Sequence, residues 1–506
     1  MQVEPAYEAF AAAYAAGRPC VLRTSLVGDL LTPVAAFIKL RHGRKGPAFL
    51  LESVEGGAAR GRYSMIGLDP DLIWRCREGR AELNRDPASA PHTFVPDVRP
   101  ALESLRAVIA ESAIALEDTL PPMAAGLFGY LGYDMVRLME RLPAPNPDVL
   151  GVPDAILVRP TVMVVFDAVR DEIILITPVR PQPGTSPKAA YEGALSRLDS
   201  VTWALERPLP LDDRSDPRAL PAPAPVSNTT PQEFVGMVER AKEYIRAGDV
   251  FQVVLSQRFD APFPLPALAL YRSLRRVNPA PFLCYLDFEA FQIVCSSPEI
   301  LVRVRDGKVT VRPLAGTRPR GATPAEDRAH EESLLADPKE RAEHLMLLDL
   351  GRNDVGRVSA LGSVSVTDSF FIEHYSHVMH IVSNVEGALG DGHDALDALV
   401  AGFPAGTVSG APKVRAMEII DELEKEKRGP YAGCIGYFGA NGEMDTCIVL
   451  RTALVKDGRM SVQAGAGIVY DSDTASEQQE CVNKAKALFR AAEEAVRFAS
   501  RAGRGQ

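Results

Sequence analysis

The C-terminal half of the sequence alternates β-rich runs with helical stretches, and this alternation restricts the possible folds most strongly. Strand-like runs include FQVVLSQRF, FQIVCSS, KVTVRPLAG, DTCIVLRTALV and MSVQAGAGIV. Several are joined through short glycine turns, as at Asp457-Gly458, and such turns connect antiparallel neighbours. We therefore expect an α+β fold with mainly antiparallel sheets flanked by helices, and not a doubly wound nucleotide-binding fold.

A proline-rich segment separates this half from the N-terminal half. Seven prolines fall between Arg207 and Gln232, and 506 residues are enough for more than one domain. Apolar runs before this segment, such as TVMVVFD and EIILIT, also predict strands. The sequence thus indicates a large two-domain fold. Its regions are 1–206 and 231–498, with a linker or surface excursion over 207–230 and a tail over 499–506.

Charge and cysteine content exclude several classes of protein. The formal net charge is −10, which argues against general binding to nucleic acid or to an anionic membrane surface. The N-terminus lacks the pattern of a signal peptide, and no apolar run is long enough to span a membrane. Seven dispersed cysteines without a C-x-x-C pair are typical of reduced thiols in a cytoplasmic protein.

A small cationic segment contrasts with this acidic background. Residues 312–321 read RPLAGTRPRG, with three arginines around a Gly-Thr pair. Such a segment is expected either to bind an anion or to form a turn with solvated arginines. The segment alone does not decide between the two interpretations.

Two predicted helices each carry a pair of glutamates three residues apart, so that each pair lies on one helical face. Glu340 and Glu343 lie in the first helix, and Glu477 and Glu480 lie in the second. One interpretation is two solvated faces. The other is that the faces oppose each other and the carboxylates surround a hard cation such as Mg²⁺.

Helix starts are indicated by hydroxyl side chains. Thr474 or Ser476 is expected to cap the second glutamate-bearing helix. Thr229 or Thr230 is expected to cap a helix with Pro231 in its first turn.

The order of many separate motifs resembles the chorismate-utilising enzymes, and most closely component I of the anthranilate synthases. The motifs span most of the C-terminal half and include DVFQVVLSQRF, SSPEIL, PLAGTRPRG, AEHLMLLDLGRND, HYSHVMHIVSNVEG, FPAGTVSGAPKVRAMEII, GPYAGCIGYF, VQAGAGIVYDSD and EQQECVNKA. Each motif alone is weakly specific, but their agreement is highly specific.

This resemblance implies an Mg²⁺-dependent enzyme that makes anthranilate and pyruvate from chorismate and ammonia, the first step of tryptophan biosynthesis. It implies a separate glutamine amidotransferase subunit that supplies the ammonia, and feedback inhibition by L-tryptophan. Region 1–206 then becomes a regulatory, tryptophan-binding region, and 231–498 becomes the chorismate-binding catalytic domain.

Site residues follow from the same resemblance, position by position. It assigns direct Mg²⁺ ligation to Glu343 and Glu480, and ligation through water to Glu340 and Glu477. Glu299 matches the general acid for loss of the 4-hydroxyl group, His380 lies near that hydroxyl, and Thr407 is a further pocket residue. Substrate contacts are implied for Gly316, Thr317, Tyr431, Arg451, Gly465, Ala466, Gly467 and Lys484.

A tryptophan site is implied in the segments LLES and NPAPFLCYL. Ser53 matches one contact, and Pro281, Phe282 and Leu283 match the facing wall. A core strand beside a turn is the alternative interpretation of these segments.

Two positions distinguish branches of the family. Isochorismate- and salicylate-forming relatives carry a lysine that activates water where this chain has Gln252, and a neutral amide cannot act as that base. Aminodeoxychorismate synthases carry a nucleophilic lysine where this chain has Ala315. Both positions favour the anthranilate branch, with component I of aminodeoxychorismate synthase as the alternative.

Three rival interpretations have less support. His374, His377 and His380 are spaced by three, but no H-E-x-x-H motif is present. The segment around Cys434 is similar to a nucleophile turn, but the His-x-Glu expected after an amidotransferase cysteine is missing. A non-catalytic binding protein would be expected to lack the glutamates or Arg451.

Overall fold

One antiparallel sheet of 22 strands runs through the residues that the computed structural model describes, which are 2–55, 59–210, 222–375 and 378–499. The strands are β1 (Cys20–Val27), β2 (Ala48–Glu55), β3 (Ala59–Arg77), β4 (Arg80–Asn84), β5 (Val95–Pro96), β6 (Gly126–Leu131), β7 (Ala155–Asp167), β8 (Glu172–Val179), β9 (Val226–Ser227), β10 (Gln252–Pro262), β11 (Phe282–Asp287), β12 (Gln292–Ser297), β13 (Ile300–Arg305), β14 (Lys308–Val311), β15 (Leu314–Pro319), β16 (Ser365–His374), β17 (Val378–Ala388), β18 (Gly410–Ala411), β19 (Cys434–Gly439), β20 (Met444–Ile448), β21 (Thr452–Lys456) and β22 (Arg459–Ile468).

Helices flank this sheet. They are α1 (Tyr7–Ala15), α2 (Pro33–Arg41), α3 (Ala101–Glu111), α4 (Pro187–Glu206), α5 (Pro231–Ala247), α6 (Ala267–Val277), α7 (Pro324–Ala336), α8 (Pro338–Gly356), α9 (Ala395–Gly402), α10 (Lys413–Leu423) and α11 (Thr474–Ala499). Short 3₁₀ helices lie at Tyr133–Leu138 and Gly406–Val408. The predicted α+β class with mainly antiparallel strands is confirmed. No helix in the described ranges combines the length and the hydropathy needed to cross a bilayer.

The sheet has two arms that diverge from the paired strands β3 and β7. The first arm continues from β3 through β2, β11, β12, β21 and β22 to β10. The second arm continues from β7 through β6, β19, β20, β13 and β14 to β17. Buried aromatic contacts join the arms, because Phe128 of the second arm packs 4.7 Å from Phe49 of the first, measured between ring centroids.

Both halves of the sequence contribute to this sheet. Strand β2, from the N-terminal half, lies between β3 and β11, and β6 pairs with β19. The linker and tail fall partly on residues 211–221 and 500–506, which lie outside the described residues. The division into a regulatory and a catalytic region stays a prediction about the sequence, because strands from before and after 207–230 belong to the same sheet.

Helix caps decide where two of the predicted helices begin. Thr230 caps α5 in a reciprocal capping box with Glu233, which confirms the expected start. For α11 the expectation was wrong, because Asp473 is the acceptor: its carboxylate accepts the backbone N–H of Ser476 at 2.9 Å. An ionised carboxylate at this position also interacts favourably with the positive end of the helix dipole.

Candidate active site

The Gly-Thr pair of the cationic segment lies in a bulge of strand β15. The pairing of β15 with β17 shifts register between Ala315 and Arg318, so Gly316 and Thr317 leave the regular ladder. Gly316 has φ +70°, and a Cβ there would lie 3.1 Å from a carboxylate oxygen of Glu340. Glycine is therefore needed both for the backbone conformation and for the close approach of the glutamate.

The arginines of this segment form ion pairs with other elements of the protein. The pairs are Arg312 with Glu373 at 2.6 Å, Arg318 with Asp337 at 2.8 Å and Glu340 at 3.2 Å, and Arg320 with Asp327 at 2.6 Å. The sequence suggested either solvated arginines or arginines that bind an anion. Neither applies to these side chains, because each is already paired with a carboxylate of the protein. They hold the bulge in place against α7, α8 and β16.

His380 on β17 presents one free ring nitrogen to the site. Its Nδ1 donates a hydrogen bond to the Gly316 carbonyl at 2.8 Å and also lies 3.1 Å from the Thr317 hydroxyl. Nε2 is buried and without a hydrogen-bond partner among the described residues. Burial, with a smaller effect from the positive charge of Arg451, lowers the pKa of His380 to about 4. The neutral ring can therefore accept a hydrogen bond through Nε2.

Glu299 lies between β12 and β13 and is buried. The Thr407 hydroxyl donates to its two carboxyl oxygens at 3.2 and 3.3 Å. Burial raises the pKa of Glu299 to about 8, although the Thr407 hydroxyl opposes this rise. The carboxyl group is thus protonated at neutral pH, the state that a general acid requires.

The guanidinium of Arg451 lies close to Glu299, because its charge affects that carboxyl group. Arg451 precedes β21, and its guanidinium makes no hydrogen bond or salt bridge within the described residues. Its φ of +48° is rare for a residue with a side chain, and such strained conformations cluster at functional sites. Although burial lowers the pKa of Arg451, an arginine stays protonated at neutral pH. It is suited to bind a planar carboxylate.

The Gly465–Gly467 segment of β22 allows a close backbone approach. A Cβ on residue 465 would lie 2.8 Å from the Leu255 carbonyl oxygen and 2.9 Å from the Tyr431 hydroxyl. Ala466 is buried between the two glycines. Lys484 on α11 donates to the Gly465 carbonyl at 2.8 Å and pairs with Glu480 at 2.7 Å.

One glutamate of each pair, Glu343 on α8 and Glu480 on α11, lies close enough to the other for their charges to interact. Burial raises the pKa of Glu343, and the charges of Glu340 and Glu480 raise it further, although the Gln252 amide donates to Glu343 at 3.1 Å. Burial and the charge of Glu480 likewise raise the pKa of Glu477. The structure therefore supports the opposed arrangement, because carboxylates of one helix affect those of the other.

Carboxylate oxygens are the ligands of hard divalent cations, so this donor set fits Mg²⁺. No three of these carboxylates have oxygens within 4.8 Å of one another in the described part of the chain. Mg²⁺ usually keeps several water or substrate ligands, and this wider spacing suits such a shell.

A cavity of about 860 Å³ lies beside Glu299 and contains most of the expected tryptophan contacts. Ser53, Pro281 and Phe282 line it, and Ser53 pairs directly with Phe282 across β2 and β11. Leu283 does not line it: it is 2% exposed and packs in the core on the opposite face of β11. Its expected contact is unsupported because successive strand residues alternate faces, and Cys284 reaches the cavity instead.

Sequence analysis missed two residues that support the site. Arg428 is buried, pairs with Glu424 at 2.5 Å and lies over the Tyr431 ring at 5.6 Å. Tyr375 lines the cavity, with its ring centroid 5.3 Å from that of His380. The only signal for Arg428 was its spacing of four from Glu424, a spacing equally common on solvated helix surfaces.

The rival sites gain no support from the structure. His374 lies 3.8 Å from Glu331, and His377 lies outside the described residues. Cys434 is buried in β19, and burial raises the pKa of its thiol to about 12, so it is a poor nucleophile.

Comparison with known proteins identifies the family. The family model for chorismate binding enzymes matches residues 58–490. Component 1 of anthranilate synthase from Cereibacter sphaeroides is 56% identical over 499 residues, covering 99% of each chain. The same component from Pseudomonas putida is 48% identical over 93% of this chain and 94% of the relative.

Solved structures agree with the sequence relatives. Anthranilate synthase component I from Streptococcus pneumoniae TIGR4 superposes with a TM-score of 0.75 at 38% identity, covering 92% of this chain and 99% of that one. The menaquinone-specific isochorismate synthase of Escherichia coli shares the fold, with a TM-score of 0.70 at 19% identity over 96% of this chain and 99% of that one. The chain therefore belongs to the chorismate-binding enzymes. Its resemblance to component I of anthranilate synthase, and the enzyme class this implies, are confirmed.

Proposed function

We propose that the protein converts chorismate and ammonia to anthranilate, pyruvate and water, as the first step of tryptophan biosynthesis. The observation that carries this proposal is the buried Glu299, which is protonated at neutral pH and lies near the Arg451 guanidinium. The charge of Arg451 also reaches the buried ring of His380, whose Nε2 has no partner among the described residues. Similarity to anthranilate synthase component 1 along the full chain supports it independently.

The first step joins ammonia to C2 of the chorismate ring while the C4 hydroxyl leaves. Glu299 donates a proton to that hydroxyl, which departs as water, and the His380 Nε2 acceptor orients the hydroxyl by a hydrogen bond. The Thr407 hydroxyl then stabilises the Glu299 carboxylate that forms. Because Glu299 and His380 are buried, these dipoles act at a lower dielectric than in water, where each is worth more.

The second step removes the C2 proton and breaks the C3–oxygen bond, so that pyruvate leaves and the ring becomes aromatic. Arg451 binds the carboxylate of the enolpyruvyl group together with the Tyr431 hydroxyl. Backbone N–H groups of Gly465–Gly467 and the Gly316–Thr317 bulge hold the ring, because the glycines allow close approach.

We infer that Glu343 and Glu480 ligate Mg²⁺ directly, with Glu340 and Glu477 acting through water. The ion, when bound, supplies positive charge that neutralises and orients the ring carboxylate. Opposition of the two pairs across α8 and α11 supports this assignment.

The branch of the family is supported by Ala315 and Gln252. Ala315 is buried in β15 and offers no amine to attack C2. The Gln252 amide is held by Glu343, and as a neutral group it does not activate water.

We further propose that a glutamine amidotransferase subunit delivers the ammonia and that L-tryptophan inhibits by binding beside Ser53, Pro281 and Phe282. The name component 1 borne by the relatives agrees with a partner subunit. The seven cysteines are free thiols, which agrees with a reaction in the cytoplasm.

The deciding experiment uses purified protein with chorismate, Mg²⁺ and an ammonium salt at about pH 8, where Glu299 is still partly protonated, without any partner. Anthranilate fluorescence is expected to appear without an added lyase. A product that needs a separate lyase and becomes p-aminobenzoate would instead assign the chain to the aminodeoxychorismate branch.

A further inference from the structure

Three cysteines from three strands meet in the core beside the cavity. The sulfur atoms of Cys284, Cys295 and Cys447 all lie within 4.8 Å of one another. Cys284 on β11 and Cys295 on β12 are directly paired across the first arm, whereas Cys447 comes from β20 of the second arm. The group thus joins the two arms at one point.

This group is buried, but it has access to the cavity. Cys284 is 4% exposed and Cys447 is 1% exposed, yet both line the cavity of about 860 Å³. Cys295 lies behind them, with its sulfur 3.7 Å from the Leu450 carbonyl oxygen. A small ion that enters the cavity therefore reaches two of the sulfurs directly.

We propose that Cys284, Cys295 and Cys447 form a binding site for a thiophilic metal ion such as Zn²⁺. Zinc–sulfur bonds of about 2.3 Å place tetrahedral ligands roughly 3.8 Å apart, so the three sulfurs need to move by only about 1 Å. Three thiolates leave one coordination position open, and it faces the cavity, where water or a small ligand occupies it.

A disulfide is the competing fate of such thiols. Cys284 and Cys295 lie opposite each other, but a bond between them would leave Cys447 unused. The mutual approach of all three sulfurs suits an ion better than a pairwise bond, because soft thiolates are the preferred ligands of zinc and copper(I).

Binding releases three thiol protons to solvent through the cavity and leaves a complex with one net negative charge. Arg303 and Arg305, which also line the cavity, lie near this charge. They pair with Asp445, which is two residues from Cys447 on the same face of β20. Because Arg305 also lies 3.9 Å from Glu443, two carboxylates already balance the two arginines, and the complex keeps its net negative charge. The ligands are separate from the catalytic set, so the site does not depend on the proposed reaction.

The test uses the full-length reduced protein, freed of metal with a chelator and kept in excess Mg²⁺ so that carboxylate sites are filled. Zn²⁺ is titrated against a colorimetric chelator, and Cd²⁺ is titrated while the ultraviolet thiolate-to-metal absorption is recorded. One equivalent per chain is expected, with the thiolate band. Cys295→Ser and Cys447→Ser are each expected to weaken binding by more than about tenfold, since even changes around a metal's direct ligands act at this scale. The matched control is Cys76→Ser, which alters a buried cysteine of β3 outside the group and is expected to leave binding unchanged.

The proposal would be overturned if the reduced wild-type protein bound no equivalent of metal. It would also be overturned if Cys284 and Cys295 formed a disulfide instead of binding the ion. Unchanged affinity in both group variants would overturn it as well. If a serine variant fails to fold by circular dichroism, X-ray absorption of the zinc-loaded wild type still decides. Three sulfurs at about 2.3 Å are expected there, and a shell of only oxygen and nitrogen would refute the site.

Discussion

The hydrogen bond between Thr407 and Glu299 gives a direct test of the general acid. The Thr407 hydroxyl donates to the carboxylate and so stabilises its ionised form, which opposes the effect of burial. Thr407→Val removes this donor, and the pKa of Glu299 is expected to rise above about 8. Because the protonated acid is the active form, the alkaline limb of the rate profile should move to higher pH.

The size of this movement follows from the bond that is lost. A hydrogen bond to a charged group contributes about 1.5–3 kcal/mol. One pKa unit corresponds to about 1.4 kcal/mol, so the limb is expected to move by roughly 1–2 units. In the wild type, activity should be constant below about pH 7 and fall above about pH 8, by about tenfold per unit.

The assay measures anthranilate fluorescence as kcat/KM for chorismate, with free ammonia held constant at every pH so that its own ionisation does not contribute. Thr407→Ser retains a hydroxyl and is the matched control, with its limb at the wild-type position. Glu299→Gln should lack the limb and lose about 10²–10⁴-fold in kcat, or roughly 3–5 kcal/mol. The reasoning fails if the limb persists in Glu299→Gln, or if Val and Ser at position 407 give the same profile.

Three further predictions address the metal, the effector and the backbone. Glu480→Gln removes a proposed Mg²⁺ ligand, so the Mg²⁺ concentration for half-maximal rate should rise at least about tenfold, measured by Mg²⁺ titration. Ser53→Phe fills the cavity opposite Phe282, so tryptophan inhibition should be relieved while uninhibited turnover is retained, measured by inhibitor titration. Gly465→Ala places a Cβ 2.8 Å from the Leu255 carbonyl oxygen, so kcat/KM should fall by about 10²-fold through misplacement of the substrate.

For each of these three predictions, one experimental result would contradict the proposed role of the residue. Near-normal Mg²⁺ dependence in Glu480→Gln would remove that residue from the metal site, and Glu493→Gln, farther along α11, serves as its surface control. Unchanged tryptophan inhibition in Ser53→Phe would place the effector elsewhere. Full activity of Gly465→Ala would mean that the strand relaxes without affecting the substrate.

Some features of the fold and of the candidate site were predictable because their signals are local. The spacing of Glu340 from Glu343, and of Glu477 from Glu480, already places each pair on one helical face. The Thr230 cap follows from a hydroxyl before Pro231 and a glutamate three residues later.

Other features depended on long-range strand pairing, which no local pattern reveals. The register of β11 against β2 determines that Phe282 and not Leu283 faces Ser53, and no local pattern specifies that register. Likewise, the partner of Arg312 is Glu373, on a strand about 60 residues later in the chain. The ion pair between Arg312 and Glu373 can be recognised only when β14 and β16 are both placed beside β17.

The insertion of β2 and β6 among strands of the C-terminal half has a practical consequence for dissecting the enzyme. A fragment that begins at Pro231 would keep most candidate catalytic residues, but it would expose β11 on one edge and β19 on another. Open edges of this kind promote aggregation. We therefore expect the C-terminal fragment to remain soluble and active only when the N-terminal fragment is co-expressed, so that the two pieces reassemble along a shared sheet.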